Sequence, residues 1–92
     1  MTPRQRILAL LEAQDMDARE LSAALGIREM EVYEHLVHVE RTVAAGKRRF
    51  VLHPSRCVEC GFEFTKRRRL TRPSRCPQCR SPRVSQPRFE IK

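Results

Sequence analysis

Cys57-Val-Glu-Cys60 and Cys76-Pro-Gln-Cys79 are the residues of this chain best suited to chemistry. They form two Cys-x-x-Cys pairs with fifteen residues between them. A pair at this spacing folds into a tight knuckle that turns both thiolates toward one metal, and two knuckles complete a tetrahedron. Gly61 follows the first knuckle, where a positive φ relieves the turn, and Pro77 stiffens the second. Four thiolates close the coordination sphere, so the site is structural rather than catalytic, and one Zn²⁺ per chain is the expected cofactor. His35, His38 and His53 are then surface or packing residues rather than ligands. The alternative, two disulfides, is disfavoured in a reducing compartment.

The metal could also be iron. Cys-x-x-Cys-Gly followed by Cys-Pro-x-Cys resembles rubredoxin, an electron carrier. Rubredoxins are acidic and aromatic-rich, with a glycine after the last cysteine. Here that position is Arg80 and the segment is strongly basic, which favours zinc.

Between the knuckles runs a basic segment, residues 66–75, with cations at Lys66, Arg67, Arg68, Arg69, Arg72 and Arg75. A charge run is often only a solvated loop. Here it joins Arg56, Arg80 and Arg83 on a metal-braced hairpin, and a dense arginine cluster on a rigid ribbon suits phosphate backbones. The charge is divided unevenly along the chain. Residues 1–46 carry five basic and eight acidic side chains, and residues 47–92 carry fourteen and three, so a net −3 faces a net +11. The polyanion-facing surface is expected in the second half. With no Trp and one Tyr, base stacking has few platforms.

The chain that must position these groups has 92 residues and five aromatics, a thin core that a metal staple would support. Its first half reads as three helices. Thr2 caps the first, with Pro3 at its first position, and Ile7, Leu8 and Leu11 recur at helical spacing until about Gln14. Asp17 caps the second, with Glu20 completing a capping box, Leu21 and Leu25 on the buried side, and Gly26 stopping it. The third runs from about Arg28 or Glu29 to Ala45 and is stopped by Gly46, with Val32, Leu36, Val39 and Val43 as its core stripe.

Residues 20–36 resemble the helix-turn-helix of winged-helix regulators at Leu21, Leu25, Gly26, Ile27, Val32 and Leu36. A three-helix bundle without groove contacts is the plainer alternative. The third helix opens with Glu29, Glu31 and Glu34, which phosphates would repel, and only Arg28 and Arg41 on it suit phosphate contact. Beside the core stripe lies a second apolar stripe of Met30, Tyr33, Val37 and Ala44. It is expected to meet the zinc half of the chain, a second copy in a homodimer, or a protein partner.

Phe50-Val51-Leu52 reads as a strand, yet no returning strand appears before Cys57. The next strand-like segment outside the ribbon ends with Phe89 and Ile91 in alternation. Residues near 49–53 are therefore expected to pair with residues near 87–91, with the ribbon inserted between them. The fold class is α+β: a winged helix-turn-helix over residues 1–53, closed by a strand at about 87–91, with a four-cysteine zinc ribbon over 54–86 inserted in or replacing the wing. As a whole the chain resembles a small prokaryotic family of predicted transcriptional regulators in which a winged helix-turn-helix is fused to a zinc ribbon. The residues that carry this are the helix-turn-helix segment, Pro54-Ser-Arg-Cys57, Cys60-Gly-Phe-Glu-Phe64, Arg72-Pro-Ser-Arg-Cys-Pro-Gln-Cys79 and Pro87-Arg-Phe-Glu-Ile91. The resemblance implies a zinc-bound, nucleic-acid-binding regulator.

The longest apolar run, Ile7 to Leu11, is far shorter than the ~18–20 residues of a membrane span, so a cytoplasmic protein with no membrane partner is expected. There is no phosphate-binding glycine loop, no Gly-x-Ser-x-Gly and no His-Glu-x-x-His, and the chain is not expected to be an enzyme. The leading expectation is a transcriptional regulator that binds duplex DNA. The alternatives are an RNA- or ribosome-associated zinc ribbon, and a protein adapter of the transcription machinery whose acidic helices bind a basic partner.

Overall fold

The computed structural model describes residues 2–92. Helix α1 spans Pro3–Ala13, strand β1 Met16–Asp17, α2 Ala18–Leu25 and α3 Glu29–Ala44, followed by β2 at Phe50–His53 and β3 at Arg88–Ile91. The result is a small α+β fold of three helices, a small antiparallel sheet and a four-cysteine ribbon.

The helix ends follow local chemistry. Thr2 accepts from the backbone N–H of Gln5 while the Gln5 side chain accepts from the Thr2 N–H, and Pro3 fills a first-turn position that needs no donor. Asp17 and Glu20 form the same reciprocal box on α2, with bonds of 2.8 and 3.0 Å. Gly26 ends α2 at φ +70°, the left-handed conformation that lets the chain turn sharply into α3. Gly46 plays no such part. Only Gly26 and Gly61 among the glycines have positive φ, and α3 closes at Ala44 in a tightened turn in which the Gly46 N–H donates to the Val43 carbonyl.

The core lies between the helices and the sheet. Ile7 and Leu11 of α1, Ala18 and Leu21 of α2, and Val32, Leu36, Val39 and Val43 of α3 are buried together against Phe89 and Ile91 of β3. Leu25 is half-buried at its edge. The sheet order is β1-β3-β2, all antiparallel. In the β2–β3 pair Phe50 faces Ile91 and His53 faces Arg88, so the pairing expected near 49–53 and 87–91 runs over 50–53 and 88–91. The chain leaves the sheet after His53, builds the whole ribbon, and returns at Arg88. β1 pairs Met16 with Phe89 and Asp17 with Arg88, a strand no sequence pattern announced.

One ribbon residue belongs to the main core. Leu70 sits within the basic segment, yet it is buried to 8% exposure in the same cluster as Val39 and Phe89. The segment Arg68–Thr71 therefore lies along α3, where it lines a groove with Tyr33, Val37 and Glu40. The second apolar stripe of α3 is thus split. Tyr33 packs against the core and Val37 borders the ribbon, whereas Met30 at 69% exposure and Ala44 face solvent.

No helix among the described residues is long and apolar enough to cross a membrane.

Candidate metal centre and basic loop

Each knuckle is built from the same backbone bonds. The Gly61 N–H donates to the Cys57 carbonyl at 3.0 Å, and the Arg80 N–H to the Cys76 carbonyl at 2.9 Å. The Cys57 N–H donates to Phe62 O at 2.8 Å, and the Cys76 N–H to Ser81 O at 2.9 Å. The residue after each knuckle must turn left-handed. Gly61 does so at φ +82° and Arg80 at φ +63°. Glycine meets this demand freely, whereas an arginine holds it against steric resistance of about 1–2 kcal/mol. The arginine that distinguishes this sequence from rubredoxin thus occupies the position where the backbone would favour glycine.

The four sulfurs converge. One atom from each of Cys57, Cys60, Cys76 and Cys79 lies within 4.8 Å of all the others. Cys57 Sγ and Cys79 Sγ are 3.5 Å apart, and Cys60 Sγ and Cys76 Sγ 3.6 Å. All four cysteines are free thiols. A tetrahedron with Zn–S bonds of about 2.3 Å has S···S edges of about 3.8 Å, so the donor set and its spacing fit one Zn²⁺. Cys57 and Cys76, the first ligand of each knuckle, are buried, and Cys60 and Cys79 are exposed.

The thiols cannot all ionise together without a cation among them. Cys57 falls to about 7, because the backbone N–H of Cys60 donates toward its sulfur and outweighs burial. Cys79 goes the other way, up to about 12. The Ser81 N–H lowers it, but burial and the three neighbouring sulfurs prevail. Cys60 is raised as well, its donor from Phe62 outweighed by burial and by Cys76. The Gln78 N–H donates to Cys76 Sγ at 3.3 Å. N–H groups thus serve the sulfurs of both knuckles, and a divalent cation supplies the charge they cannot.

The ribbon's only strand-like pairings among the described residues are two isolated bridges, Arg56 with Glu63 and Cys57 with Val84. Phe62 and Phe64, which alternate as in a strand, instead pack edge to face with ring centres 5.1 Å apart. With so little sheet, the metal is the principal tie.

The six cations of the loop divide into two sets. Arg67 Nη2 donates to both the carbonyl and the hydroxyl of Thr71 at 3.2 Å, and Arg72 Nη1 donates to the Val84 carbonyl at 3.2 Å. These two brace the loop. Lys66, Arg68, Arg69 and Arg75 are exposed. The two α3 candidates lie apart from them in sequence and differ from each other. Arg28 is paired with Glu31 at 3.1 Å, and Arg41 is exposed in the last turn of α3. One lining residue escaped the sequence reading. Glu40 shares a groove with Lys66, Arg67 and Arg68. Its signal was its place three residues beyond Val37 on the stripe that the ribbon covers.

Two family models match this chain. Residues 2–51 match the family described as PF0610-like, N-terminal, and residues 54–92 match the PF0610 rubredoxin-like zinc beta-ribbon domain. The solution NMR structure of protein PF0610 from Pyrococcus furiosus is similar to this chain at 28% identity with a TM-score of 0.78, covering 98% of this chain and 88% of that one. No curated protein matches. The chain, with its three helices and its four-cysteine ribbon, belongs to the PF0610-like family.

Proposed function

We propose that this chain is a zinc-stapled, nucleic-acid-binding protein that grips duplex DNA and acts as a transcriptional regulator of the winged helix-turn-helix kind. The observation that carries the reading is the exposed set Lys66, Arg68, Arg69 and Arg75 on the loop between the two knuckles, in the half of the chain with net charge +11. Phosphate contacts of this type dominate affinity for nucleic acid and orient the protein on it. The order α1-β1-α2-α3-β2-β3, with a left-handed glycine between α2 and α3, supports the winged-helix part. The ribbon then stands where a wing would.

The second reading is an RNA-associated ribbon, and one observation favours it. Glu29 and Glu34 are exposed on α3 and Arg28 is tied to Glu31, so this helix offers little to a DNA groove.

Binding to duplex DNA and to structured RNA at fixed salt decides between them. Under the leading reading, duplex DNA binds more tightly. Arg68, Arg69 and Arg75 changed together to Ala weaken it strongly, and the salt slope falls by about 0.9 for each phosphate no longer neutralised. Arg28→Ala matters less. If Arg28→Ala abolishes binding while the triple change is harmless, α3 is the reader and the loop is not.

A further inference from the structure

Where the ribbon meets the helices there is a groove of about 830 Å³, lined by Glu40 of α3, Leu52 and Pro54 at the end of β2, and Thr65, Lys66, Arg67 and Arg68 of the loop. Small-molecule sites occupy roughly 300–1,000 Å³ and combine apolar walls with a few convergent polar groups. Leu52 and Pro54 supply the walls here.

Arg67 stands between this groove and a smaller one bounded by Phe62, Phe64 and Pro77. Its Nη2 is held by Thr71, which fixes the guanidinium. Its Nε is buried and has no hydrogen-bond partner. A desolvated donor left without an acceptor is unfavourable and marks this arginine as short of one partner. A phosphoryl oxygen is the acceptor that a guanidinium and neighbouring cations favour most. Lys66 and Arg68 line the same groove, and neither forms an ion pair among the described residues. Glu40, on the helix, is equally without an ion pair. A carboxylate there repels a phosphate but accepts from a hydroxyl or amino group.

We propose that this groove binds a small phosphorylated molecule bearing hydroxyl or amino donors, its phosphoryl group held by Lys66, Arg67 and Arg68 and its donors by Glu40. The site goes beyond the nucleic-acid reading, because Arg69 and Arg75 serve that reading and do not line the groove. A ligand here bridges α3 and the loop and takes Lys66 and Arg68 away from a polyanion.

The test uses the zinc-loaded chain, titrated with AMP, pyrophosphate and adenosine by calorimetry and by amide chemical shifts. AMP is expected to bind saturably, one per chain, and adenosine not at all. Arg67→Leu weakens AMP at least tenfold, and Glu40→Gln weakens AMP but not pyrophosphate. Zinc content and thermal unfolding are checked for each variant. If Arg67→Leu loses its metal or its fold, the double change of Lys66 and Arg68 to Ala takes its place, with the same tenfold loss expected. Unsaturable binding of both AMP and pyrophosphate, or equal affinity in the loop variant and the wild type, overturns the proposal. Duplex DNA is measured alongside. DNA binding without AMP binding defeats this proposal alone, and AMP binding without DNA binding defeats the nucleic-acid reading alone.

Discussion

Arg88 Nε donates to the Asp15 carboxylate at 2.7 Å across 73 positions of sequence. The same guanidinium reaches the Asp15 carbonyl at 3.0 Å, Glu20 at 2.8 Å and Asp17 at 3.6 Å. Arg88 opens the strand on which the chain returns from the ribbon, and its three acidic partners surround the junction of α1 and α2. The first and last parts of the chain are pinned at one side chain.

This pin has a pH signature. The Arg88 guanidinium holds the Asp15 carboxyl below its ordinary value of 3.8. A lowered carboxyl stabilises the fold at pH values above its unfolded value, and that stability is lost as pH falls through the folded value. Both partners are partly exposed, so solvent screens the pair. Arg88→Ala is expected to lower Tm by a few degrees at neutral pH, and the gap to wild type is expected to narrow below about pH 4. Thermal unfolding of the two proteins across pH checks it. A gap that widens toward acid would refute the assignment.

Metal analysis of the purified chain is expected to give one zinc. Chelation, or Cys57→Ser or Cys76→Ser, is expected to unfold the ribbon, since without the metal its arms share only two isolated bridges and a few side-chain contacts. Ribbon amides that keep their dispersed NMR shifts after metal removal would contradict this.

The two knuckles offer paired substitutions of opposite sign. Arg80→Gly removes left-handed strain but adds unfolded-state freedom, for a net gain of about 0.5 kcal/mol. Gly61→Ala imposes that strain and brings a Cβ within 3.3 Å of the Arg56 guanidinium, for a loss of about 1 kcal/mol. Denaturant unfolding of the zinc-loaded variants measures both.

Leu70 is expected to transmit ribbon integrity to the helices. Leu70→Ala deletes a buried side chain of the main core and is expected to cost about 2–3 kcal/mol without loss of zinc. Tyr33→Glu, beside the same segment, is expected to lower Tm in a protein that stays monomeric by light scattering. Dissociation of a dimer by Tyr33→Glu would assign the stripe to a partner copy instead.

The features legible in the sequence were those with a local signature. The Cys-x-x-Cys spacing, the Thr2 and Asp17 capping boxes and the 3.6-residue recurrence of Val32, Leu36, Val39 and Val43 are all written within a few residues. The pairing of β2 with β3 was also accessible, because an unpaired strand needs a partner and one remained. What stayed hidden depends on distant partners. β1 is two residues long and exists because Phe89 and Arg88 lie alongside it. Leu70 looks like a lone apolar residue in a charged loop until α3 is placed beneath it. Arg88 is one arginine among many, distinguished only by three carboxylates that the fold gathers around it. Gly46 misled, because a glycine after a helix suggests a left-handed stop and the helix ended without one.

His53 and Arg88 face each other at the mouth of the ribbon, so residues 54–87 form a loop whose ends are already joined by the sheet. Compared with a two-residue hairpin turn, closing so long a flexible loop costs about 2.5 kcal/mol of chain entropy. A bound metal shortens the effective loop to the segments on either side of the knuckles and removes about a third of this burden. Metal loading and sheet closure are therefore thermodynamically linked. The ion that never touches the helices still sets how firmly β3 is held against them, and any competitor that strips zinc loosens the pairing of Phe89 and Ile91 from a distance.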